Sequence, residues 1–417
     1  MPISVRRFCQ AYFKITARTQ CGNAVNLQLT DRVKKIRPSP TVSITARAGE
    51  LRATGRDIIA LSAGEPDFAT PPHICEAAHE GIRRGQTKYT AVDGKRSLKE
   101  AIILKFQRDN ELTFKLDQIL VSSGGKQSCY NACQVLVESG DEVIIPAPHW
   151  VSFPDMVRLA DAEPVIVHTN ATTGFRMTAE QLDSAITERT RALIINSPCN
   201  PTGSAYTRTD WKMLGDVLSE HPRIFIITDD IYEHIYWGVE PFCSFLTACP
   251  QLASRTLVVN GVSKCYAMTG WRIGYVAGPE AIIKAMTTIQ SQSTTNACTI
   301  SQVAAEAALN GDQTTVTKMC AAFKARHDYI IGGLNRLTGF DCRPCEGTFY
   351  AFPNIDKTIE SIGAKDDIDF CSKLLEEKDL ALVPGSAFGA PGHLRLSFAA
   401  NREILEVALN RISEFIN

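Results

Sequence analysis

The sequence predicts an α/β protein in which a large unit, built on a mostly parallel sheet wrapped by helices, is followed by a smaller α+β unit. Three observations lead there. From residue 55 onward, apolar runs of four to eight residues alternate with helical patterns, and several runs lack polar alternation, as strands covered on both faces should. After about residue 300 the texture changes to long helical patterns broken by short strands. Finally, 417 residues exceed one typical core, while 44% hydrophobic and 21% charged residues fit an ordinary globular chain and exclude disorder, collagen and coiled coil.

In chain order, residues 1–30 carry Arg6, Arg7, Lys14 and Arg18 and no acid before Asp31. At 100° per residue Val5, Phe8, Tyr12 and Ile15 share one helical face, the pattern of an organelle transit peptide; a dispensable terminal extension is the alternative. Segments 119–122, 142–146, 164–167, 192–196, 224–228, 256–260 and 272–277 read as buried strands, with helices over 125–138, 178–186 and 209–219 between them. Alternation of this kind implies an open sheet that binds its ligands beyond the carboxyl ends of the strands. Helices over 301–309 and 315–337, strands around 348–352 and 393–398 and a last amphipathic helix from Arg402 make the smaller unit. The division expected is an extension over 1–30, a segment over 31–55 that joins the small domain, a large domain over 56–312 and a small one over 313–417.

Charge and cysteine usage narrow the function. Lys+Arg (44) and Asp+Glu (45) leave a net charge of −1, which offers no global field for nucleic acid or an anionic membrane, so a small-molecule partner is expected. The longest uncharged run, 285–305, contains Thr287, Gln290, Ser293 and Asn296 and is too polar to span lipid. Fourteen cysteines without a signal-peptide core suit a reducing compartment, the cytoplasm or, if 1–30 is a transit peptide, an organelle matrix. The one C-x-x-C, Cys342 to Cys345, lacks the second pair or the histidines of a structural zinc site, and no metal is expected.

Several residues could carry chemistry. Lys264 lies among Val258, Val259, Val262, Met268 and Ile273, a setting that pushes an ammonium toward the nucleophilic amine; a snorkelling lysine is the bland alternative. Asp229 and Asp230 directly follow an apolar strand, where a carboxylate either serves a site or caps a helix, and Tyr232 lies three residues after Asp229. Ser122-Ser123-Gly124-Gly125-Lys126-Gln127 joins a strand to a helix with small residues that let backbone N–H groups approach a phosphate, although a plain tight turn would look the same. Asn196-Ser197-Pro198-Cys199-Asn200-Pro201-Thr202-Gly203 ends a strand with an amide exposed in the turn. In Leu394-Arg395-Leu396 the period-2 pattern sets Arg395 opposite two leucines, suited to a carboxylate unless the strand edge faces solvent.

In this order the motifs resemble the fold-type I, pyridoxal-phosphate-dependent class I aminotransferases, from about Asp31 to the C-terminus. Ser263-Lys264 followed by Met268-Thr269-Gly270-Trp271-Arg272-Ile273-Gly274-Tyr275, and Asn200-Pro201-Thr202-Gly203, carry the resemblance most specifically, to the branch of bacterial-type aspartate and aspartate/glutamate–prephenate aminotransferases. The resemblance implies that Lys264 holds pyridoxal 5'-phosphate covalently, Asp229 pairs with its ring nitrogen, Tyr232 and Asn200 bond its phenolic oxygen and Trp150 stacks on the ring. It sets Gly124, Gly125, Ser263 and Arg272 around the phosphate, with Tyr89 reaching it from the second chain of a homodimer. Arg395 would grip the substrate α-carboxylate with Gly64 nearby, and Lys126 a second carboxylate, beside a Thr41 contributed across the dimer interface. Gly261, where many relatives carry serine, and His149, in place of the commoner tyrosine, are departures. The activity implied moves an amino group between aspartate or glutamate and a 2-oxo acid, with prephenate as a further acceptor. Alternatives are an aromatic or broad-specificity aminotransferase and a β-eliminating lyase on the same scaffold.

Overall fold

Runs without polar alternation can be buried only inside a sheet covered on both sides, and that is where the seven expected strands lie. The computed structural model describes residues 28–36, 38 and 40–417; the basic amphipathic pattern of the N-terminal extension falls mainly on 1–27, outside the described residues. A two-residue strand β1 (Ile59–Ala60) precedes β2 (Ile119–Ser122), β3 (Glu142–Ala147), β4 (Glu163–His168), β5 (Thr190–Asn196), β6 (Phe225–Asp229), β7 (Thr256–Gly261) and β8 (Gly274–Ala277). The last seven form one sheet in the order β2-β8-β7-β6-β5-β3-β4, in which β8 alone runs against the rest. The expected strand over 272–277 starts two residues later than its apolar pattern, because Arg272 takes a left-handed backbone (φ 55°) that ends the turn returning from β7.

Successive strand residues go to opposite faces. Val143 and Ile145 pack with Ile194, Ile227 and the helix Gly125–Leu136, whereas Ile144, Leu193, Ile195 and Ile226 pack with the helix Arg208–Glu220 on the other side. Each such side chain, almost wholly buried, contributes about 1.5–3 kcal/mol. The register aligns the carboxyl ends that matter: Asn196 pairs with Asp229, Asp229 with Val259, Gly261 with Gly274 and Gly274 with Ser122. Four loops, those after Ser122, Asn196 and Asp229 and the one joining Gly261 to Gly274, therefore open at one edge of the sheet.

The C-terminal residues add β9 (Tyr350–Ala351), β10 (Leu380–Ala381), β11 (Val383–Pro384) and β12 (Leu394–Ser397), with β11-β12-β9 forming an antiparallel sheet. The long helix Thr314–Leu334 and the last helix Arg402–Ile416 cover it, joining one core that includes Phe323, Phe349, Leu396 and Leu405. The N-terminal segment is fastened here too: β1 pairs in parallel with β10, and Ala48 and Leu51 of the helix Pro40–Ala53 pack against Leu375 and Ala381. No helix among the described residues is long and apolar enough to cross a membrane.

Candidate active site

A cavity of about 640 Å³ opens where the carboxyl ends of the parallel strands face the small antiparallel sheet. Its lining includes twelve of the residues singled out from sequence: Lys264, Asp229, Tyr232, Gly125, Trp150, Asn200, Ser263, Arg272, Gly64, Arg395, Lys126 and Thr41. Gly124 lies immediately behind them as the N-cap of the helix Gly125–Leu136. Tyr89 is 90% exposed and stands outside the cavity of its own chain. Thr41 lines the cavity of its own chain, where the helix Pro40–Ala53 is packed onto the small unit beside this opening.

At the floor, Asp229 ends β6 and is almost wholly buried. Burial pushes its carboxyl up to about 6, against the lowering effects of the Ile231 N–H, which donates to Oδ1 at 3.2 Å, and of the Lys264 charge. The Asn196 amide donates to the Asp229 carbonyl at 2.6 Å and accepts from the Asn200 N–H at 2.8 Å, so one side chain ties both turns together. The Lys264 Nζ donates to the Gly64 carbonyl at 2.5 Å. Desolvation, then the charges of Arg395 and Arg272, bring its pKa down to about 8, which makes the neutral amine accessible near neutrality. Tyr232 is held 2.9 Å, hydroxyl to hydroxyl, from Tyr350, and burial followed by that neighbour raises its pKa well above the usual value, so it stays a phenol.

One wall is an anion cradle. The helix Gly125–Leu136 begins at the cavity, where N–H groups of its first turn have no intrahelical acceptor. Gly124 has φ +88°, and a Cβ there would come within 2.2 Å of the Arg272 guanidinium, so the cradle closes only around glycine. Arg272 is held in place through the Thr269 carbonyl at 2.9 Å and the Ser123 carbonyl at 3.2 Å. The Lys126 ammonium lies over the Trp150 ring, 4.8 Å from its centroid, and no carboxylate among the described residues pairs with it.

The opposite wall comes from β12. Arg395 is 2% exposed; its Nη1 donates to Asn200 Oδ1 at 2.9 Å and its Nη2 to the Ser62 carbonyl at 2.6 Å, while its buried Nε has no partner among the described residues. Tyr350 and Phe388 flank the guanidinium at 4.4 and 4.9 Å. Tyr350, Ser62 and Asn196 are site residues that the reading of single motifs did not assign a role. Tyr350 lies in a segment already expected to be a strand, yet only its pairing opposite Ser397 of β12 brings it to Arg395. His149 is buried and pushed down to about 4, first by burial, so its ring is neutral; Cys342 and Cys345 are buried free thiols away from the cavity.

The features fit pyridoxal phosphate: a buried acid for a ring nitrogen, an amine of lowered pKa, a glycine-closed cradle with a guanidinium for a phosphate and an indole face for a ring. Comparison with known proteins agrees with this geometry. The sequence model of the aminotransferase class I and II family matches residues 56–412. The chain is 51% identical over 397 residues to the aspartate/prephenate aminotransferase of Nitrosomonas europaea, covering 94% of this chain and all of that one. It is 46% identical over 390 residues to the aspartate aminotransferase of Bacillus subtilis, covering 94% and 99%. Among solved structures, the aspartate aminotransferase of Rhizobium meliloti superposes with a TM-score of 0.90 at 45% identity, over 94% of this chain and 99% of that one. That of Thermus thermophilus, solved with maleate, superposes with a TM-score of 0.88 at 40% identity, over 93% and 99%. The chain belongs to the class I and II aminotransferases.

Proposed function

We propose that this aminotransferase exchanges amino groups between aspartate or glutamate and the 2-oxo acids oxaloacetate and 2-oxoglutarate, with prephenate as a second acceptor. The observation that carries the reading is the placement of cations on two sides of one cavity, the buried Arg395 on one and Lys126 with Arg272 on the other, with Lys264 also lining it. Substrates with two carboxylates match that arrangement. The names of the relatives, and the dicarboxylate maleate in the Thermus structure, point the same way.

Bound here, pyridoxal phosphate supplies an aldehyde that condenses with amines and a ring that takes up the electrons released at the amino-acid Cα. Lys264 would hold it, Gly124, Gly125, Ser263 and Arg272 would take its phosphate, Trp150 would cover the ring, and Asp229 would face the ring nitrogen with Tyr232 and Asn200 at the phenolic oxygen. Arg395 orients the substrate through its α-carboxylate. Its buried Nε has no partner among the described residues, and Asn200 and Ser62 take one N–H each of Nη1 and Nη2, so donors remain for a carboxylate. The Lys264 amine, neutral to a useful extent at its lowered pKa, takes the proton from the substrate Cα. Gly64 and Thr41 shape the substrate end, where a Cβ on Gly64 would lie 2.4 Å from the Tyr350 hydroxyl.

We place Tyr89 in the cofactor site of a second chain, the protein acting as a homodimer; its exposed ring is the support. The division at residue 312 into a large and a small domain, and a cytoplasmic location, belong to the same reading. Steady-state rates against aspartate and oxo acid together test the activity: parallel double-reciprocal lines support amino transfer, whereas release of pyruvate from cysteine-type substrates supports the lyase reading and defeats ours.

A further inference from the structure

Behind the floor of the cavity lies a set of charges that none of the chemistry above uses. Lys105 and Glu233 form an ion pair in which both side chains are almost fully buried, and neither lines the cavity. Glu233 Oε2 accepts from the Asn110 amide at 2.8 Å, and Asn110 Oδ1 in turn accepts from Lys105 Nζ at 2.7 Å. Glu233 Oε1 accepts from the Asn260 amide at 2.9 Å, while Asn260 Oδ1 accepts from the Gly261 N–H at 2.7 Å. His234 continues the chain, with Nδ1 3.4 Å from Glu233 and Nε2 2.9 Å from Asp109, which Arg108 also contacts at 2.6 Å. Although acids and an imidazole meet here as they do around metals, the Lys105 ammonium already supplies the cation on Glu233.

The connections have a direction. Glu233 follows Tyr232 in the turn that opens with Asp229, and its N–H donates to the Asp230 carbonyl at 3.0 Å. Asn260 and Gly261 are the last residues of β7, three ahead of Lys264 when counted from Gly261. One carboxylate thus links the turn bearing Asp229 and Tyr232 to the strand end bearing Lys264, and Lys105, from the helix Arg96–Asn110, anchors both to a third element. A buried ion pair gains little over apolar packing in stability, so its use is sought in geometry.

The structure assigns Glu233 the part of a positioning residue, which with Lys105 and Asn260 fixes the separation between the acid facing the ring nitrogen and the lysine that holds the cofactor. The assignment rests on the cofactor reading given above. Displacing a reacting group by about 1 Å costs on the order of 100-fold in rate, so a tether of this kind acts without touching substrate.

The test uses purified holoenzyme of the wild type, Glu233→Ala and the double variant Lys105→Met/Glu233→Met, which removes both charges and keeps the volume filled. Four readouts are compared: kcat and KM for aspartate, the cofactor Kd after resolution and reconstitution, the visible circular dichroism band of the lysine-bound cofactor, and the melting temperature. The expected result for the folded double variant is a kcat lower by about 10- to 100-fold with little change in KM, a weaker cofactor Kd and an altered dichroism band. A double variant with wild-type dichroism, cofactor Kd and kcat, whatever its melting temperature, overturns the positioning role alone. A wild-type chain that takes up pyridoxal phosphate without forming the lysine-bound band overturns the cofactor reading and this assignment with it.

Discussion

The two walls of the cavity carry cations of different kinds. Arg395 is buried in β12, clamped by Asn200 and Ser62 and flanked by two aromatic rings, so its guanidinium has one orientation. Lys126 stands in the first turn of a helix with an exposed surface, its ammonium over the Trp150 ring and paired with no carboxylate among the described residues. A rigid fork suits the group shared by every amino acid, the α-carboxylate, whereas a flexible point charge can follow second carboxylates at different distances. On the function proposed above, the contrast means that one wall would set the reaction's geometry and the other its range.

The largest expected effect lies between the walls. Lys264→Ala removes nucleophile and proton carrier together and should lower kcat by roughly 10⁴-fold or more with every substrate, while cofactor still binds noncovalently. Borohydride should trap cofactor on the wild type but not on the variant; substantial turnover by the variant would remove Lys264 from the mechanism. Next comes Arg395→Met, which should cost about 3–5 kcal/mol in kcat/KM, or a hundred- to few-thousand-fold, alike for aspartate and for phenylalanine. Loss confined to one class of substrate would break the contrast.

A third effect is read in stability. Asp229 has its carboxyl raised by burial from 3.8 to about 6, so the folded cofactor-free protein binds a proton that the unfolded chain releases. Its contribution is therefore most favourable below about pH 4 and is lost as pH rises through 6, a change of about 3 kcal/mol. Urea unfolding of cofactor-free wild type and Asp229→Asn between pH 4 and 7 should show this slope as a difference between the two; coincident curves would mean that the carboxylate is already solvated. Saturating cofactor should suppress the difference, since a protonated ring nitrogen offers the carboxylate its counter-charge.

Much of this was legible in the sequence because burial leaves a pattern. The strand runs around Val143, Leu193 and Ile226 are apolar on both faces, and the charges left at their ends, Asp229 and Lys264, stand out against them. Arg395 showed itself the same way, between two leucines. What stayed illegible depends on register and packing between distant segments. Tyr350 reaches Arg395 through pairing opposite Ser397, Ser62 offers only a carbonyl, and Glu233 meets Lys105 from 128 positions away in the chain. Thr41 was visible as a residue but not as a member of its own chain's cavity, because the fastening of its helix by Ala48 and Leu51 onto Leu375 and Ala381 leaves no local mark.

The smallest effect discriminates best. A lysine at a helix N-terminus sits at the positive end of the dipole, and here Arg272 adds a second cation close by, so Lys126 is unfavourably placed unless an anion joins them. The cofactor phosphate can satisfy the helix end and Arg272. Lys126 leans away over the indole, free of any carboxylate among the described residues, and so remains available to a group on the substrate. A charge-assisted contact of that kind contributes about 1.5–3 kcal/mol, which converts to roughly 10- to 150-fold in kcat/KM. Lys126→Ala should therefore weaken oxaloacetate and prephenate by that factor and leave phenylpyruvate, with one carboxylate, nearly unchanged; Lys126→Arg should retain part of the preference. An equal loss on all three acceptors would mean that Lys126 serves the cofactor or the fold, and the division of labour between the walls would fall with it.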